Sequence, residues 1–321
     1  MSAITHIDSI RVDLTNRCNA RCGFCPYHGT NGTVTKLLRM QNESHTQLEL
    51  EDFKSIVGEL VRANQFPRFK FSGRGEATIH PYFEKIVELI AKNGMTVRLI
   101  TNGINLGRFI KLLHENKVST LISIHGPEEI HDKTVGVRGA YQKATAAICT
   151  LKKMGADVSI ATVITPELLA RAPSFTNEWT TRGVEVRIQH DHSAWRLRTF
   201  LAEEIQEFVS ETAATEQVTF LPNLNNALID TYYACNTSLV LAPHECERVL
   251  NEVDLCSDGA LYACRSAPFG NIRDNGIMSL ISGVSRKMFL EKILNETKSA
   301  DGLNAVLCDR CCYQSSILTK A

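Results

Sequence analysis

The chain has 321 residues, enough to bury a large core without disulfides, and its 35 basic and 35 acidic residues give a formal net charge of zero. This balance removes any electrostatic argument for nucleic acid or an anionic membrane as the main partner. The sequence has no run of the roughly 20 apolar residues that span a bilayer and no secretory signal. Its eleven cysteines are therefore expected in a reducing cytoplasm, where clustered cysteines are metal ligands more often than disulfides.

Hydrophobic patterning predicts alternating strands and helices over the first 200 residues. Six strands are expected at 7–14, 69–71, 96–100, 118–124, 158–164 and 184–188. Helices are expected between them at 51–61, 82–92, 106–116, 141–154 and from Pro166 onward. Such alternation with short turns is typical of a parallel sheet with helical crossovers. Six units fall short of the eight in a complete barrel, so the prediction is an α/β fold with a partial, open (β/α)6 barrel.

The pattern changes after about residue 200. A helix is expected at 203–214, a hairpin around Asp258-Gly259 at 253–264, and a further helix at 285–294. This part of the chain holds seven of the eleven cysteines. We therefore expect two domains, the barrel at 1–200 and a small cysteine-rich module at 201–321. Cys149, in the helix at 141–154, is expected to pack in the core.

Three cysteines, Cys18, Cys22 and Cys25, follow the first strand with the spacing CxxxCxxC. Cysteine thiolates hold Fe–S clusters, and tight spacing lets one loop wrap one cluster. Three thiolates leave one iron of a [4Fe–4S] cluster without a protein ligand, and an open position is what a reactive metal needs. The alternative is a structural zinc site, for which His28 is the nearby fourth ligand.

Further polar and glycine-rich turns follow the predicted strands at 72–76, 101–103 and 125–127. Barrel-type α/β folds place their active sites at this carboxyl end of the strands.

The CxxxCxxC motif, with Phe24 before its last cysteine, resembles that of the radical S-adenosylmethionine (radical SAM) family, whose fold is a partial barrel. The resemblance implies a [4Fe–4S] cluster and S-adenosylmethionine as cofactors. The segment 72–76 is similar to the family's glycine-glycine-glutamate segment, which binds the methionine amino group, but it carries Arg74 between the glycines. The family also places cofactor-binding groups after strands three and four. The implied cofactor-binding residues are Phe24, Gly73, Gly75, Glu76, Asn102, Ser123 at the ribose, and Arg138 at the methionine carboxylate.

The C-terminal module resembles the Twitch form of the SPASM/Twitch extension of this family. The residues that carry this resemblance are the ligands it implies for a second [4Fe–4S] cluster: Cys246, Cys264, Cys308 and Cys311. A structural zinc ion held by the same four cysteines is the alternative.

The family's chemistry starts with a 5′-deoxyadenosyl radical that abstracts a hydrogen atom from the substrate. A thiol that returns a hydrogen atom from the opposite face gives epimerisation, whereas loss of an electron to the second cluster gives dehydrogenation of an alcohol. Cys235, Cys256 and Cys312 are the donor candidates, and buried packing is the alternative for each. Cys256 or Cys312 could also replace one of the four ligands of the second cluster. The polar segment 189–192, with Trp195, is either a substrate contact or a solvated loop.

The resemblance implies a small carbohydrate-like substrate, a sugar or aminocyclitol of natural-product biosynthesis, and a flavodoxin or ferredoxin as electron donor. Modification of a ribosomal peptide is the second hypothesis. It is weakened because the first strand begins at about residue 7, which leaves no room for an N-terminal leader-binding domain. A non-catalytic Fe–S or zinc protein is the third hypothesis, and it leaves the motifs around Glu76, Asn102 and Ser123 unexplained.

Overall fold

The computed structural model describes residues 6–25, 27–29, 44–189, 202–212, 215–221, 229, 247–263 and 268–295. The six predicted barrel strands are confirmed as β1 (Ser9–Val12), β2 (Arg68–Phe71), β3 (Val97–Thr101), β4 (Ser119–Ser123), β5 (Val158–Val163) and β6 (Glu185–Gln189). They pair in parallel in the order of the chain. The predicted α/β fold with a predominantly parallel sheet is thereby confirmed.

Helices cross between successive strands: α1 (Leu50–Arg62), α2 (Phe83–Lys92), α3 (Ile110–Glu115), α4 (Glu128–Val135), α5 (Ala140–Lys153), α6 (Pro166–Leu169) and α7 (Ala172–Thr180). The helix predicted at 106–116 is a 3-10 turn (Leu106–Arg108) followed by α3, and Gly107 in that turn is a poor helix former. The helix at Pro166 starts as predicted but ends at Leu169, because Pro173 has no N–H with which to continue it.

The sheet extends beyond the six predicted strands at both edges. The later elements are α8 (Ala202–Thr212), β7 (Val218–Leu221), α9 (Glu247–Asn251), β8 (Glu252–Leu255), β9 (Ala260–Tyr262), β10 (Pro268–Asn271), α10 (Ile277–Ser282) and α11 (Val284–Asn295). The strand order is β10-β9-β8-β1-β2-β3-β4-β5-β6-β7. The predicted hairpin is β8–β9, and β8 itself pairs in parallel with β1. None of the helices in the described ranges combines the length and apolar character of a membrane-spanning segment.

The two faces of the sheet differ in polarity. Alternate residues of each strand are buried against the helices in one hydrophobic core, which joins, for example, Phe69 and Phe71 of β2 to Phe53 of α1. The intervening residues, among them Arg98 in β3 and Ala161 in β5, are only partly buried. They point to the inner face of the open barrel. This inner face is therefore available to a ligand near the carboxyl ends of the strands.

Ion pairs on the inner face hold β8 against β1 and β2. Arg11 of β1 contacts Asp254 of β8 at 2.6 Å, and Lys70 of β2 contacts Glu252. Arg248 bridges both acids, at 3.1 Å from Glu252 and 3.3 Å from Asp254. Burial acts to raise the pKa of Glu252, but the hydrogen bonds and charges of Lys70 and Arg248 outweigh it and lower the pKa.

Because the pKa of Glu252 is lowered by folding, its contribution to stability is complete above its unfolded value of about 4.3 and is lost as pH falls through the folded value. We expect Glu252→Gln to lower the free energy of unfolding at pH 7 by about 1–3 kcal/mol, because it leaves Lys70 and Arg248 without a shared partner. The difference from the wild type should shrink below pH 4. Chemical denaturation at both pH values measures it.

The matched control is Glu88→Gln, which removes an exposed pair with Lys92 at 3.9 Å on α2. Its effect should stay within about 0.5 kcal/mol. Equal losses in the two variants would contradict the assigned role of Glu252.

Candidate active site

The three cysteines of the CxxxCxxC motif lie in one loop that leaves the carboxyl end of β1. The loop is fixed against the end of α4, where the N–H groups of Arg21 and Gly23 donate to the carbonyls of Val135 and Thr134 at 2.8 and 3.0 Å. These bonds hold the middle of the motif in place between its first and last thiols.

Nitrogen donors point at two of the three sulfurs. Cys18 Sγ accepts from the backbone N–H of Ala20 at 3.4 Å and from Asn102 Nδ2 at 3.9 Å. Cys25 Sγ accepts from the backbone N–H of His28 at 3.4 Å. Hydrogen bonds to ligand sulfurs stabilise the thiolate form and help to set the potential of an Fe–S cluster.

The three thiols lie near enough for the charge of one to affect the pKa of another, although their side chains are not grouped as ligands of one metal ion in this structure. Burial, followed by the charge of Glu76, raises the pKa of Cys18 to about 12. Burial, followed by the charges of Cys18 and Cys25, raises the pKa of Cys22 to about 12. All three thiols can ionise together only when a cationic group lies between them. This donor set therefore fits an Fe–S cluster.

His28 bears on the zinc alternative, because it was the predicted fourth ligand. Its Nε2 donates to the backbone carbonyl of Arg74 at 2.8 Å. One of its two ring nitrogens is thus used to fasten the cysteine loop to the loop after β2.

Glu76 lies beside the cysteine loop and is almost fully buried, with 3% of its surface exposed. One carboxylate oxygen accepts from Thr78 N–H at 3.1 Å and from the hydroxyls of Thr78 and Thr101, each at 2.7 Å. The other accepts from Asn102 N–H at 2.8 Å. The structure shows no ion-pair partner for Glu76 among the described residues. A buried carboxylate without a cation is costly, so the site favours a cationic group of a ligand.

Asn102 connects Glu76 to the cysteine loop. Its Nδ2 donates to Asn19 Oδ1 at 2.7 Å, and its Oδ1 accepts from Ile104 N–H at 3.0 Å. Both ends of the side-chain amide are therefore fixed, and the residue is 8% exposed. The predicted cofactor residues Glu76 and Asn102 thus lie together next to Cys18.

The glycines of the 72–76 segment are required by close packing against the protein. A Cβ on Gly75 would lie 2.1 Å from the carbonyl oxygen of Thr15, and one on Gly73 would lie 2.7 Å from the carboxylate of Asp13. Asp13 is buried and accepts from Arg74 Nε at 2.7 Å and from Arg74 N–H at 3.0 Å. Arg74 Nη2 also donates to Ser257 Oγ at 3.2 Å. Arg74, the departure from the family pattern, therefore ties β1 to the β8–β9 turn.

Phe24 contacts the opposite wall of the barrel mouth. Its ring meets the ring of His125 edge-on, with centroids 4.8 Å apart. His125 Nδ1 accepts from Val163 N–H at 3.3 Å, and His125 N–H donates to His131 Nδ1 at 3.0 Å. Burial lowers the pKa of His125 to about 3, so the ring is neutral at neutral pH and its proton is on Nε2. Phe24 and His125 thus join the cysteine loop to the end of β4.

The remaining predicted cofactor residues, Ser123 and Arg138, differ in their exposure. Ser123 is the last residue of β4 and is partly buried on the inner face. Arg138 is exposed in the turn between α4 and α5. Its predicted contact with the methionine carboxylate stays a prediction.

Cys256 is the hydrogen-donor candidate that the structure describes. It follows β8 directly, beside Asp13, whose N–H donates to the carbonyl of Leu255 at 2.9 Å. Its own backbone is fixed by two bonds to the turn, from Cys256 N–H to Ala260 and from Gly259 N–H to Cys256, both 2.9 Å. The backbone of Cys256 is therefore fixed at the carboxyl edge of the sheet.

Several predicted residues lie outside the described ones: Cys235, Cys246, Cys264, Cys308, Cys311, Cys312, Trp195 and 190–192. Within the described ranges, no three His, Cys, Asp or Glu side chains are grouped to hold one metal ion. The second cluster and its ligands stay a prediction. The expectation for Cys149 was wrong: it is exposed, because it lies on the outer surface of α5.

The sequence analysis missed Asp13 and His125 as parts of this site. Asp13 had a weak signal, because it is a charged residue at the end of an apolar strand. His125 stood in a turn already noted for its position at the carboxyl end of a strand, but nothing local showed that it faces Phe24.

Comparisons with known proteins agree with this geometry. The sequence profile of the Radical SAM superfamily matches residues 12–170. A GTP 3′,8-cyclase from Aquifex aeolicus is 24% identical over 90% of this chain and 89% of its own length. The mycofactocin maturase MftC of Mycobacterium tuberculosis is 27% identical over 55% of this chain and 42% of its own length. The chain thus spans less than half the length of some of the curated relatives it matches.

A solved structure of anSMEcpe with bound AdoMet superposes with a TM-score of 0.65 at 20% identity, over 96% of this chain and 84% of that chain. At this identity the likeness shows a shared fold. The matched sequence profile, with which the shared fold agrees, leads to one conclusion: residues 12–170 form a domain of the radical SAM superfamily.

Proposed function

We propose that the chain removes a hydrogen atom from a carbon of a small polar substrate, a sugar or an aminocyclitol, and returns one from Cys256. The net reaction is epimerisation at that carbon. The single observation that carries the hydrogen-return step is the fixed backbone of Cys256 at the carboxyl edge of the sheet, one strand away from the cysteine loop.

When bound, the cluster and S-adenosylmethionine supply a 5′-deoxyadenosyl radical by one-electron cleavage of a carbon–sulfur bond. In the proposal, Cys18, Cys22 and Cys25 hold the cluster. Glu76 accepts hydrogen bonds from the methionine ammonium group. Its buried carboxylate has no cationic partner among the described residues, and the ammonium group supplies one. Asn102 orients Glu76 and the cysteine loop, because its backbone N–H donates to Glu76 and its side chain donates to Asn19 of the loop.

Cys256 suits the return of a hydrogen atom because it keeps its S–H bond at neutral pH. Burial raises the pKa of Cys256 to about 11; the charge of Arg74 lowers it, whereas the charges of Asp13, Asp258 and Asp254 raise it. In the transfer, the S–H bond breaks and a C–H bond forms, which leaves a thiyl radical on Cys256. One electron and one proton then restore the thiol, and a flavodoxin or ferredoxin is the proposed source of the electron.

The polarity of the inner face supports a small polar substrate. Arg98, Ser123 and Arg187 are inward-facing, partly buried residues of β3, β4 and β6. These groups offer hydrogen bonds to hydroxyl, amino or acidic substituents rather than an apolar surface.

A second [4Fe–4S] cluster of Twitch type, held by Cys246, Cys264, Cys308 and Cys311, belongs to the same proposal. When bound, it would supply a one-electron redox centre in addition to the first cluster.

Radical modification of a ribosomal peptide is the second candidate. It is supported by the similarity to MftC, whose name describes it as a mycofactocin maturase. A peptide substrate would need a binding surface outside the barrel mouth.

The proposal is tested with anaerobically reconstituted, reduced protein in deuterated water and a panel of sugars and aminocyclitols. We expect 5′-deoxyadenosine together with an epimer that carries one deuterium at the inverted carbon. Cys256→Ala should keep 5′-deoxyadenosine formation and lose the deuterated epimer.

Cys149→Ala is the matched control, because Cys149 is an exposed cysteine on α5, and it should behave as the wild type. A ketone product without deuterium would show that the reaction is dehydrogenation and not epimerisation. Turnover of a peptide but of no compound in the panel would favour the second candidate.

A further inference from the structure

Arg187 is a half-buried cation in the middle of β6. Its neighbours Val186 and Ile188 are buried in the hydrophobic core with Phe175 and Trp179 of α7. Because side chains alternate along a strand, Arg187 points away from α7 and into the open barrel. The sequence alone left open whether this residue faces the barrel or a helix.

The strand register places Arg187 at the height of the predicted cofactor residues. Arg187 is aligned with Ala161 of β5, and Ala161 is aligned with Ser123 of β4. All three side chains face the inside, and two of them are short. One inward position higher, Val163 is aligned with Gln189 and donates its N–H to His125. Arg187 therefore lies in line with the short side chains of Ser123 and Ala161 on the inner face of the sheet.

Unlike Arg11 and Lys70, Arg187 has no acidic partner among the described residues. Arg11 is paired with Asp254, and Lys70 with Glu252. Among the described residues, the structure shows no carboxylate or other polar group in contact with Arg187. A guanidinium removed from water without a partner is unfavourable, whereas a planar acidic group can bind it through two parallel hydrogen bonds.

We propose that Arg187 binds an acidic group of the substrate, a carboxylate or a phosphate, at the floor of the site formed by β4, β5 and β6. This inference rests on the proposed function, because it names the class of polar substrate as an acidic or phosphorylated one. Ser123 lies on the same inner face and can donate its hydroxyl to such a group. Arg187 thereby sets which end of the substrate lies deep in the barrel and which lies under the cysteine loop.

The test uses inorganic phosphate as the probe and the reconstituted, full-length protein. Phosphate should raise the melting temperature of the wild type in a concentration-dependent way, since a ligand that binds only the folded state stabilises it. Arg187→Met should weaken the apparent phosphate affinity about ten-fold or more, the effect of losing a charge-assisted bond. Arg187→Lys should recover part of the affinity, because it keeps the charge but not the planar fork.

Arg182→Met is the matched control. Arg182 follows α7 on the helix side of the sheet and pairs with Glu178 at 2.9 Å, so its loss should leave phosphate binding unchanged. Equal phosphate affinity in the wild type and Arg187→Met, or no effect of phosphate on either, would overturn the proposal. If Arg187→Met does not fold, the test uses Arg187→Lys alone. A phosphate affinity of this variant equal to that of the wild type would then overturn the proposal.

A second measurement separates the substrate from the cofactor, which also carries a carboxylate. The KM for S-adenosylmethionine in substrate-independent cleavage should be the same in Arg187→Met and the wild type. A rise of about ten-fold or more would assign Arg187 to the methionine carboxylate and refute the substrate role. The two proposals can fail independently, because phosphate binding involves no turnover. Phosphate can bind as proposed when no deuterium is incorporated, and deuterium can be incorporated when phosphate does not bind.

Discussion

Cys18→Ala is expected to abolish S-adenosylmethionine cleavage by the reduced, reconstituted protein. Cys18 is the thiol with the most contacts: it accepts two N–H groups and lies beside the Glu76 carboxylate. Alanine removes one of three ligands and leaves Asn102 Nδ2 with one acceptor fewer. A cluster held by two thiols has neither the geometry nor the electrostatic balance to bind the cofactor at one iron. Iron and sulfide analysis and chromatography of 5′-deoxyadenosine measure the result.

Two other cysteines provide controls for this prediction. Cys149→Ala removes an exposed thiol on α5 and should leave both iron content and cleavage at the wild-type level. Cys256→Ala removes a partly buried thiol outside the loop and should leave cleavage intact. Cleavage that persists in Cys18→Ala would mean that the first cluster is held by other residues.

Much of the fold could be predicted because its information is local. In β5, Val158, Ile160 and Thr162 face the helices and alternate with partly buried residues, which is a pattern visible in the sequence. Glycines and prolines then mark where strands and helices end. Some boundaries shifted at breaks inside an element, such as the one that Pro173 makes after α6, and α4 (Glu128–Val135) is a helix that the sequence analysis did not predict.

The position of β8 could not be predicted in this way. Its pairing with β1 depends on contacts between residues far apart in the chain, such as Arg11 with Asp254. The 253–264 hairpin was visible from its turn, but a turn does not determine which strand edge the hairpin joins. The same limit applies to the site. Three cysteines with tight spacing indicate a ligand loop from the sequence alone. The contact of Phe24 with His125 forms only when β1 and β4 are assembled, so the sequence does not reveal it.

Glu76→Gln is expected to weaken S-adenosylmethionine binding about 100-fold while the iron content stays unchanged. The substitution keeps the size of the side chain but removes the buried negative charge, and a charged partner in such a site is worth about 3 kcal/mol or more. It also places an N–H₂ group where a carboxylate oxygen now accepts a bond. All four donors to this carboxylate, from Thr78, Thr101 and Asn102, need an acceptor, so one bond must become a clash of two donors. Equilibrium binding of S-adenosylmethionine to the anaerobically reconstituted protein measures the change.

Thr101→Val separates the charge of Glu76 from its hydrogen bonds. It removes the hydroxyl that donates to Glu76 at 2.7 Å but leaves the carboxylate in place and still bound by Thr78 and Asn102. The expected loss of affinity is less than about ten-fold, since one neutral donor contributes roughly 1 kcal/mol. A loss in Thr101→Val as large as that in Glu76→Gln would show that Glu76 acts by holding the loops after β2 and β3 together. A much larger loss in Glu76→Gln, with the melting temperature of the protein unchanged, supports the contact of its charge with a cationic group of the ligand, because an unchanged melting temperature excludes a disrupted fold as the cause.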